Sequence, residues 1–354
     1  MEGIVLGDRL ATLRQIPEGA ASAVLTYTGS AAVEDWTEIA RVLRPGAHAI
    51  VFGTWQVGVT LRRVGFEMRD SLFITHGARV VNEVAYLVRR PLRASTVAAQ
   101  TLATGTGAIN IDGTRVRHSS AADFEKHKAG VEALKARGGS LGNSWKNSSD
   151  LAGANDVTQA GRWPANAVFA HAPACQKIGS RRVPAPVINR FSDGMKPFGG
   201  GAGHEYHTVQ TGDADGMEEV ASWSCVEDCP ISALDSLSGV TRSGAMRREV
   251  EAYEGVSNTP FLRGRSGPSN QHGDAGGASR FFRTFATQTA GAIPVELLSY
   301  LVQMICPPGG LMLDPYCGLG DACAAARCVG HRFLGLVESE STYQAAVDHV
   351  GSFQ

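Results

Sequence analysis

The stretch 311–340, LMLDPYCGLGDACAAARCVGHRFLGLVESE, constrains the fold more than any other. Its first three apolar residues suit a short strand, and Asp314-Pro315-Tyr316-Cys317-Gly318-Leu319-Gly320 suits a tight turn. Small residues over 322–329 predict a helix, with Asp321 as its N-cap and Gly330 as its stop. A second strand is predicted over 333–337, ending at Glu338. Glycine lacks a Cβ, so the backbone of such a turn can approach a ligand at the head of a helix. An acidic residue that ends the next strand is placed to accept hydrogen bonds from ribose hydroxyls. The spacing fits a nucleotide- or nucleoside-binding turn. It fits equally an ordinary strand-to-helix turn that needs glycine only for its backbone.

Residues 1–90 alternate strand and helix patterns. Strands are predicted at 4–6, 23–26 and 49–52, with an extended stretch at 67–75. Helices are predicted at 11–16, 35–43 and 56–64, the second ended by Arg44-Pro45-Gly46. Such alternation argues for a parallel sheet covered by helices on both faces. With 354 residues, 43% hydrophobic and 19% charged, the chain has ample material for a buried core, in one large or two linked domains. The net charge of −1 excludes attraction of nucleic acid by the field of the whole protein, so DNA contact would need local basic clusters. No 18-residue apolar run and no charged-then-apolar leader pattern is present, so a cytoplasmic protein without membrane contact is expected. Seven cysteines in such a chain point to thiols or metal rather than disulfides.

Adding the flanks sharpens the reading. Pro307-Pro308-Gly309-Gly310, then DPYCGLGD, then GHRFLGLVESESTYQAA resemble the S-adenosylmethionine half of bacterial and phage DNA amino-methyltransferases, which methylate N6 of adenine or N4 of cytosine. LGDRLATLRQIP, WTEIARVLRPGAHAIVFG, GFEMRD and NEVAYLVRRPL have counterparts at the same places, so the resemblance covers nearly the whole chain. It implies an α/β fold with a Rossmann-like, seven-stranded methyltransferase sheet. Residues 1–95 would be the half with the catalytic motif, 96–285 an inserted, loop-rich target-recognition region, and 286–354 the cofactor half. Asp314, Gly318 and Gly320, with Tyr316 in the same turn, would hold the methionine end of S-adenosylmethionine, and Glu338 its ribose. The setting would be a bacterial cell or a phage-infected host.

The departures are local. Where the family carries a motif such as TDPPY, this chain has Tyr27, Thr28, Gly29 and Ser30. The family motif accepts a hydrogen bond from the target amine and stacks on the flipped base. Here the carbonyl acceptors and the Pro-Pro turn are replaced, and Asp35 is a poor substitute several residues downstream in a predicted helix. The aromatic expected after GFEMRD is Ile74, beside Phe73. A usual serine and threonine of the glycine turn are Leu319 and Asp321, Glu338 fits with a one-residue shift, and a segment like HPTVKP is represented only by Pro294.

In the insert, 118–160 is polar and rich in Gly, Ser and Asn, with an exposed helix predicted at 124–136. GRWPANAVFAHAPACQKIGSRRV and GDADGMEEVASWSCVEDCPISALDSLSG resemble segments of a phage-type branch of the family. They contain His171-x3-Cys175 and Cys225-x3-Cys229, one His and three Cys suited to tetrahedral zinc, which would pin an insert lacking a core of its own. The alternative is three small buried hydrophobes beside an unrelated His. Cys306, Cys317, Cys323 and Cys328 are expected to pack rather than ligate. Arg181, Arg182, Arg247, Arg248 and Arg280 are candidate phosphate contacts, or solvated surface. GDAGGASRFFRTFA resembles the return strand out of the insert.

Three functional readings follow. The chain is a working DNA methyltransferase with an unusual active site. Or it is a degenerate member that keeps the scaffold and binds duplex DNA, as a homodimer or beside a catalytic partner subunit. Or it is a transferase that uses the same pocket for another donor and another base modification.

Overall fold

The computed structural model describes residues 2–30, 32–77, 81–114, 164–184, 187–191, 206–210, 217–239, 241–242, 275–287 and 292–353. In chain order the first half holds β1 (Gly3–Leu6), α1 (Arg9–Gln15), β2 (Ala21–Tyr27), α2 (Val33–Val42), β3 (Leu43–Phe52), α3 (Trp55–Arg63), β4 (Glu67–His76) and β5 (Val81–Arg89). Then come α4 (Val97–Thr104), α5 (Ile111–Thr114), β6 (Ala167–Ala170), β7 (Gln176–Pro184), β8 (Val187–Phe191), β9 (Tyr206–Gln210) and β10 (Met217–Ser224). The remainder is α6 (Pro230–Ser238), β11 (Thr241–Arg242), β12 (Ala275–Gly276), a 3-10 turn (Ala278–Phe281), β13 (Arg283–Phe285), α7 (Val295–Ile305), β14 (Leu311–Asp314), α8 (Asp321–Cys328), β15 (Arg332–Val337) and α9 (Glu340–Gly351).

The main sheet runs β1-β15-β14-β2-β3-β5-β4-β6-β13. All its pairings are parallel except those of β5, which runs antiparallel to β3 and β4. It has nine strands where seven were expected. The extra two, β6 and β13, come from within residues 96–285 and extend the edge beyond β4. Side chains alternate across a strand, so a central strand must be apolar on both faces. On β2, Ala23 and Leu25 pack in one core with α7, α8 and α9, while Ala21 and Val24 pack in the other with Leu13 of α1, Trp36 and Ile39 of α2, and Leu61 of α3.

Two local expectations are corrected. Arg44-Pro45-Gly46 does not lie between helix and strand; α2 ends at Val42 and these residues already belong to β3. The N-cap of α8 is Gly320, which adopts a left-handed conformation, and Asp321 is the first helical residue. Asp321 pairs instead with His349 of α9 at 2.8 Å. Neighbours β14 and β2 connect onward in opposite directions, β14 to β15 and β2 to β3. Their carboxyl ends therefore frame the crevice at which open α/β sheets bind ligands.

Candidate active site and metal cluster

Asp314, the last residue of β14, is buried at the floor of this crevice. Thr26, on the neighbouring strand β2, donates its hydroxyl to Asp314 Oδ1 at 2.6 Å, and the Tyr316 amide donates to the same oxygen at 3.3 Å. Burial nevertheless pushes the Asp314 carboxyl up to about 7, against the lowering pull of these two hydrogen bonds. The carboxyl is thus desolvated and half-committed to its charge, a state that a cationic ligand would complete.

The turn that follows needs its glycines for two different reasons. Gly318 has φ +52°, and a Cβ there would meet nothing nearer than the Tyr316 carbonyl at 3.9 Å, so the backbone above it is open. At Gly320, φ +91°, a Cβ would lie 2.8 Å from Val350 Cγ2, so glycine lets α9 close on the turn. Cys317 and Cys323 pack under the turn with their sulfurs 3.7 Å apart. Contact with Cys317, together with burial, raises the Cys323 thiol well above its ordinary range, so it stays protonated. Cys306 is likewise buried, as expected, but Cys328 is exposed at the end of α8.

Glu338 stands at the end of β15, as the sequence pattern requires, but it is already engaged. Arg9, at the start of α1, donates its amide to Glu338 Oε1 at 3.2 Å and pairs its guanidinium with Oε2. The same guanidinium donates to the Pro315 carbonyl at 2.8 Å and to Asp35 Oδ2 at 3.2 Å, and lies 4.1 Å from the centre of the Tyr316 ring. The Tyr316 hydroxyl donates to the same Asp35 oxygen at 2.9 Å. Sequence reasoning missed Arg9 altogether. It also dismissed Asp35 as an acceptor for the target amine, and the structure shows Asp35 committed to Arg9 and Tyr316.

The turn Tyr27-Thr28-Gly29-Ser30 lies at the end of β2, across the crevice from Asp314. Tyr27 is exposed and stacks on Phe52, with ring centroids 6.0 Å apart. Thr28 is buried; its amide donates to the Phe52 carbonyl at 2.9 Å and its hydroxyl accepts from the Ser30 amide at 2.9 Å. The Trp36 indole donates to the Ser30 carbonyl at 3.4 Å. These four residues thus offer a phenol, two hydroxyls and backbone, and no carboxylate or carboxamide. A carboxylate does stand nearby. Glu83 of β5 and the fully buried His76 of β4 meet at 3.3 Å, and burial together with the Glu83 charge raises the Tyr27 phenol. Glu83 Oε2 and His76 Nδ1 are buried without a partner among the described residues. No local motif marks this pair, because only the β4–β5 ladder brings the two residues together.

Away from the crevice, His171, Cys175, Cys225 and Cys229 converge, with their ligand atoms all within 4.8 Å of one another. His171 follows β6 directly, donates its amide to the Phe285 carbonyl of β13 at 2.7 Å, and stacks on Trp223 at 3.8 Å. Its Nδ1 lies 3.4 Å from Cys225 Sγ and 3.6 Å from Cys229 Sγ. Burial raises the Cys225 thiol to about 12. At Cys229 burial also raises the thiol, but the His171 ring and the Ser232 and Ala172 amides outweigh it and bring it down to about 6.

Of the candidate DNA-contacting arginines, Arg181 and Arg182 lie on β7, opposite Val220 and Glu219 of β10. Arg280 lies in the 3-10 turn. Arg247, Arg248 and the helix expected at 124–136 lie outside the described residues. No helix among the described residues is long and apolar enough to cross a membrane.

A doubly covered α/β sheet with a glycine turn and an acidic floor at its switch point defines a protein of the nucleotide-cofactor-binding class. A family model described as DNA methylase, N6/N4 type, matches residues 111–348, and the chain belongs to that family. No curated protein matches the chain. Among solved structures it is similar to a presumed DNA modification methylase from Thermus thermophilus, at 12% identity and TM-score 0.42, covering 100% of this chain and 96% of that one. It is also similar to M1.HpyAVI, at 9% identity and TM-score 0.42, covering all of both chains. A third is the cytosine-N4-specific PvuII DNA methyltransferase, at 9% identity and TM-score 0.40, covering 97% of this chain and 84% of that one.

Proposed function

We propose that this DNA methylase family member binds S-adenosylmethionine in the β14–β2 crevice and duplex DNA through its insert, residues 96–285, and that the turn Tyr27–Ser30 does not support methyl transfer by the chain alone. One observation carries the reading. The cofactor side of the crevice keeps a buried, hydrogen-bonded Asp314 under an open glycine turn, while the turn at the end of β2 carries no carboxylate or carboxamide to take an amine proton. The side chains at the methionine end fit the cofactor: Asp314 would take up its ammonium group, and the backbone at Gly318 leaves room for it. Glu338 would accept the ribose hydroxyls, with Arg9 holding its carboxylate in place. When bound, S-adenosylmethionine supplies an electrophilic methyl group. Tyr27, exposed at the rim, would stack on an extruded base. What such a turn lacks is the group that takes the amine proton, a contribution of roughly 10²–10⁴ in rate.

A second reading, an active enzyme with an unusual active site, is favoured by Glu83, whose Oε2 is buried, unpartnered among the described residues, and close enough to Tyr27 to perturb its phenol. Calorimetric titration with S-adenosylmethionine, followed by labelled-methyl transfer to duplex DNA, separates the two. Binding in the micromolar range without transfer supports the first. Transfer that Glu83→Gln abolishes while binding persists supports the second. Absence of binding overturns both and leaves a scaffold turned to another donor, or one serving as a non-catalytic subunit.

A further inference from the structure

The Cys/His cluster plays no part in the crevice, yet its geometry is that of a ligand shell. Tetrahedral zinc with Zn–N of about 2.05 Å and Zn–S of about 2.3 Å sets the N···S edge at about 3.6 Å. The two edges from His171 Nδ1 are 3.4 and 3.6 Å. Hydrogen bonding does not account for both, because one imidazole nitrogen offers either a single lone pair or a single hydrogen. Two sulfurs converging on the same nitrogen are explained by a cation at their centre. The backbone repeats itself around the two pairs. The Cys175 amide donates to Ala172 at 2.9 Å and the Cys229 amide to Val226 at 3.1 Å, the same tight turn in each x3 spacer.

We propose that His171, Cys175, Cys225 and Cys229 bind one Zn²⁺ in a closed structural site that roots the β7–β10 hairpin on the main sheet. Four protein ligands leave no open position, which separates a structural from a catalytic zinc. Three thiolates select a soft or borderline metal over magnesium or calcium. The topology shows what the ion holds. β7 begins at Gln176, next to Cys175, and β10 ends at Ser224, next to Cys225, with Gln176 and Ser224 paired across the ladder. The metal therefore occupies the next rung, at the open end of the hairpin. His171 ties that rung to strand β6 of the main sheet, and Cys229 leads directly into α6. The far end of α6 is fixed in turn, since Asp235 accepts both the amide and the hydroxyl of Ser279 at 2.8 Å, just before β13. Among the described residues the buried apolar core here is Ala172, Cys229 and Ile231, with Phe169 and Val226 partly buried against it. So small a core does not order a hairpin and a helix, and a metal supplies the missing constraint. That the hairpin, with Arg181 and Arg182, meets DNA rests on the function proposed above; the metal site does not.

The test uses the full chain, purified without chelator and with reductant. Elemental analysis is expected to give one zinc per chain, and Co²⁺ exchange is expected to give the visible absorption of a tetrahedral thiolate site. The double variant Cys225→Ser/Cys229→Ser is expected to lose both signals. Cys229→His, which keeps a ligand at that position, is expected to retain metal, so loss in the serine variant is not read from unfolding. A wild-type chain with reduced thiols that takes up neither zinc nor cobalt overturns the proposal, as does a double variant that holds metal undiminished. Stoichiometric metal in a chain that fails to bind S-adenosylmethionine refutes the crevice reading and leaves the metal site standing.

Discussion

Asp314→Asn isolates the electrostatics of the crevice. In the folded chain the Asp314 carboxyl titrates at about 7, against an ordinary value of 3.8, because it is buried. A group whose folded pKa is raised binds more protons folded than unfolded. Its contribution is therefore fully present below pH 3.8 and is lost as pH rises to 7. The rise from 3.8 to about 7 corresponds to roughly 4 kcal/mol. Asparagine keeps an acceptor for Thr26 and Tyr316 but carries no charge. Urea unfolding from pH 4 to pH 8 should then show the variant gaining on wild type by up to about 4 kcal/mol as pH rises. Ligand binding should run the other way. If Asp314 receives the cofactor's ammonium group, the ionised form binds, and wild-type affinity for S-adenosylmethionine should rise roughly 15-fold between pH 5.5 and 7. Asp314→Asn should bind weakly with a flat profile. Parallel stability curves for the two proteins, or a wild-type Kd independent of pH, would refute the argument that this carboxyl is desolvated and waiting for a cation.

Other perturbations test separate parts of the structure. Arg9→Gln leaves the nearly buried Asp35 without its cation and should cost about 1–3 kcal/mol in urea unfolding; a change within about 0.5 kcal/mol would show the Arg9 network to be energetically idle. Trp36→Ala empties a fully buried site between α2 and the sheet and should cost about 3–5 kcal/mol, read as a lower denaturant midpoint. At Gly335, an added Cβ would lie 2.5 Å from Cys317 Sγ and 2.8 Å from both Cys323 Sγ and Ile4 Cδ1, so Gly335→Ala should cost about 1–3 kcal/mol by overpacking, and a neutral result would mean the glycine turn can shift. If the β7–β10 hairpin meets phosphates, Arg181→Ala/Arg182→Ala should weaken duplex binding uniformly across sequences and reduce the salt slope by about 2; an unchanged slope would place the contact elsewhere.

Local pattern made the framework legible. Alternating apolar runs, helix caps and glycine stops act over a few residues, so β1, α1, β2, α3, α7 and the strand-turn-helix at Asp314 could be read within a residue or two of their observed bounds. The pairing of His171-x3-Cys175 with Cys225-x3-Cys229 was legible for the same reason, since each half carries its own spacing. The boundary between α2 and β3 was misread because Pro and Gly usually break structure, whereas here they form an irregularity inside β3, between Leu43 and His48, which both pair with β2.

What the tertiary structure alone decided lies in contacts between distant segments. Arg9 and Glu338 stand 329 residues apart in sequence and meet only because β1 and β15 are parallel neighbours in the sheet. Glu83 and His76, seven residues apart across the β4–β5 ladder, stand beside the distant Tyr27 only because β5 lies between β3 and β4. The burial that lifts Asp314 toward neutrality comes from strands and helices on every side of it, a desolvation that no residue string records. The sequence by itself determined which elements form and which residue types they present. The order of strands in the sheet decided which of those residues share a site, because charge and hydrogen bonding act through space rather than along the chain.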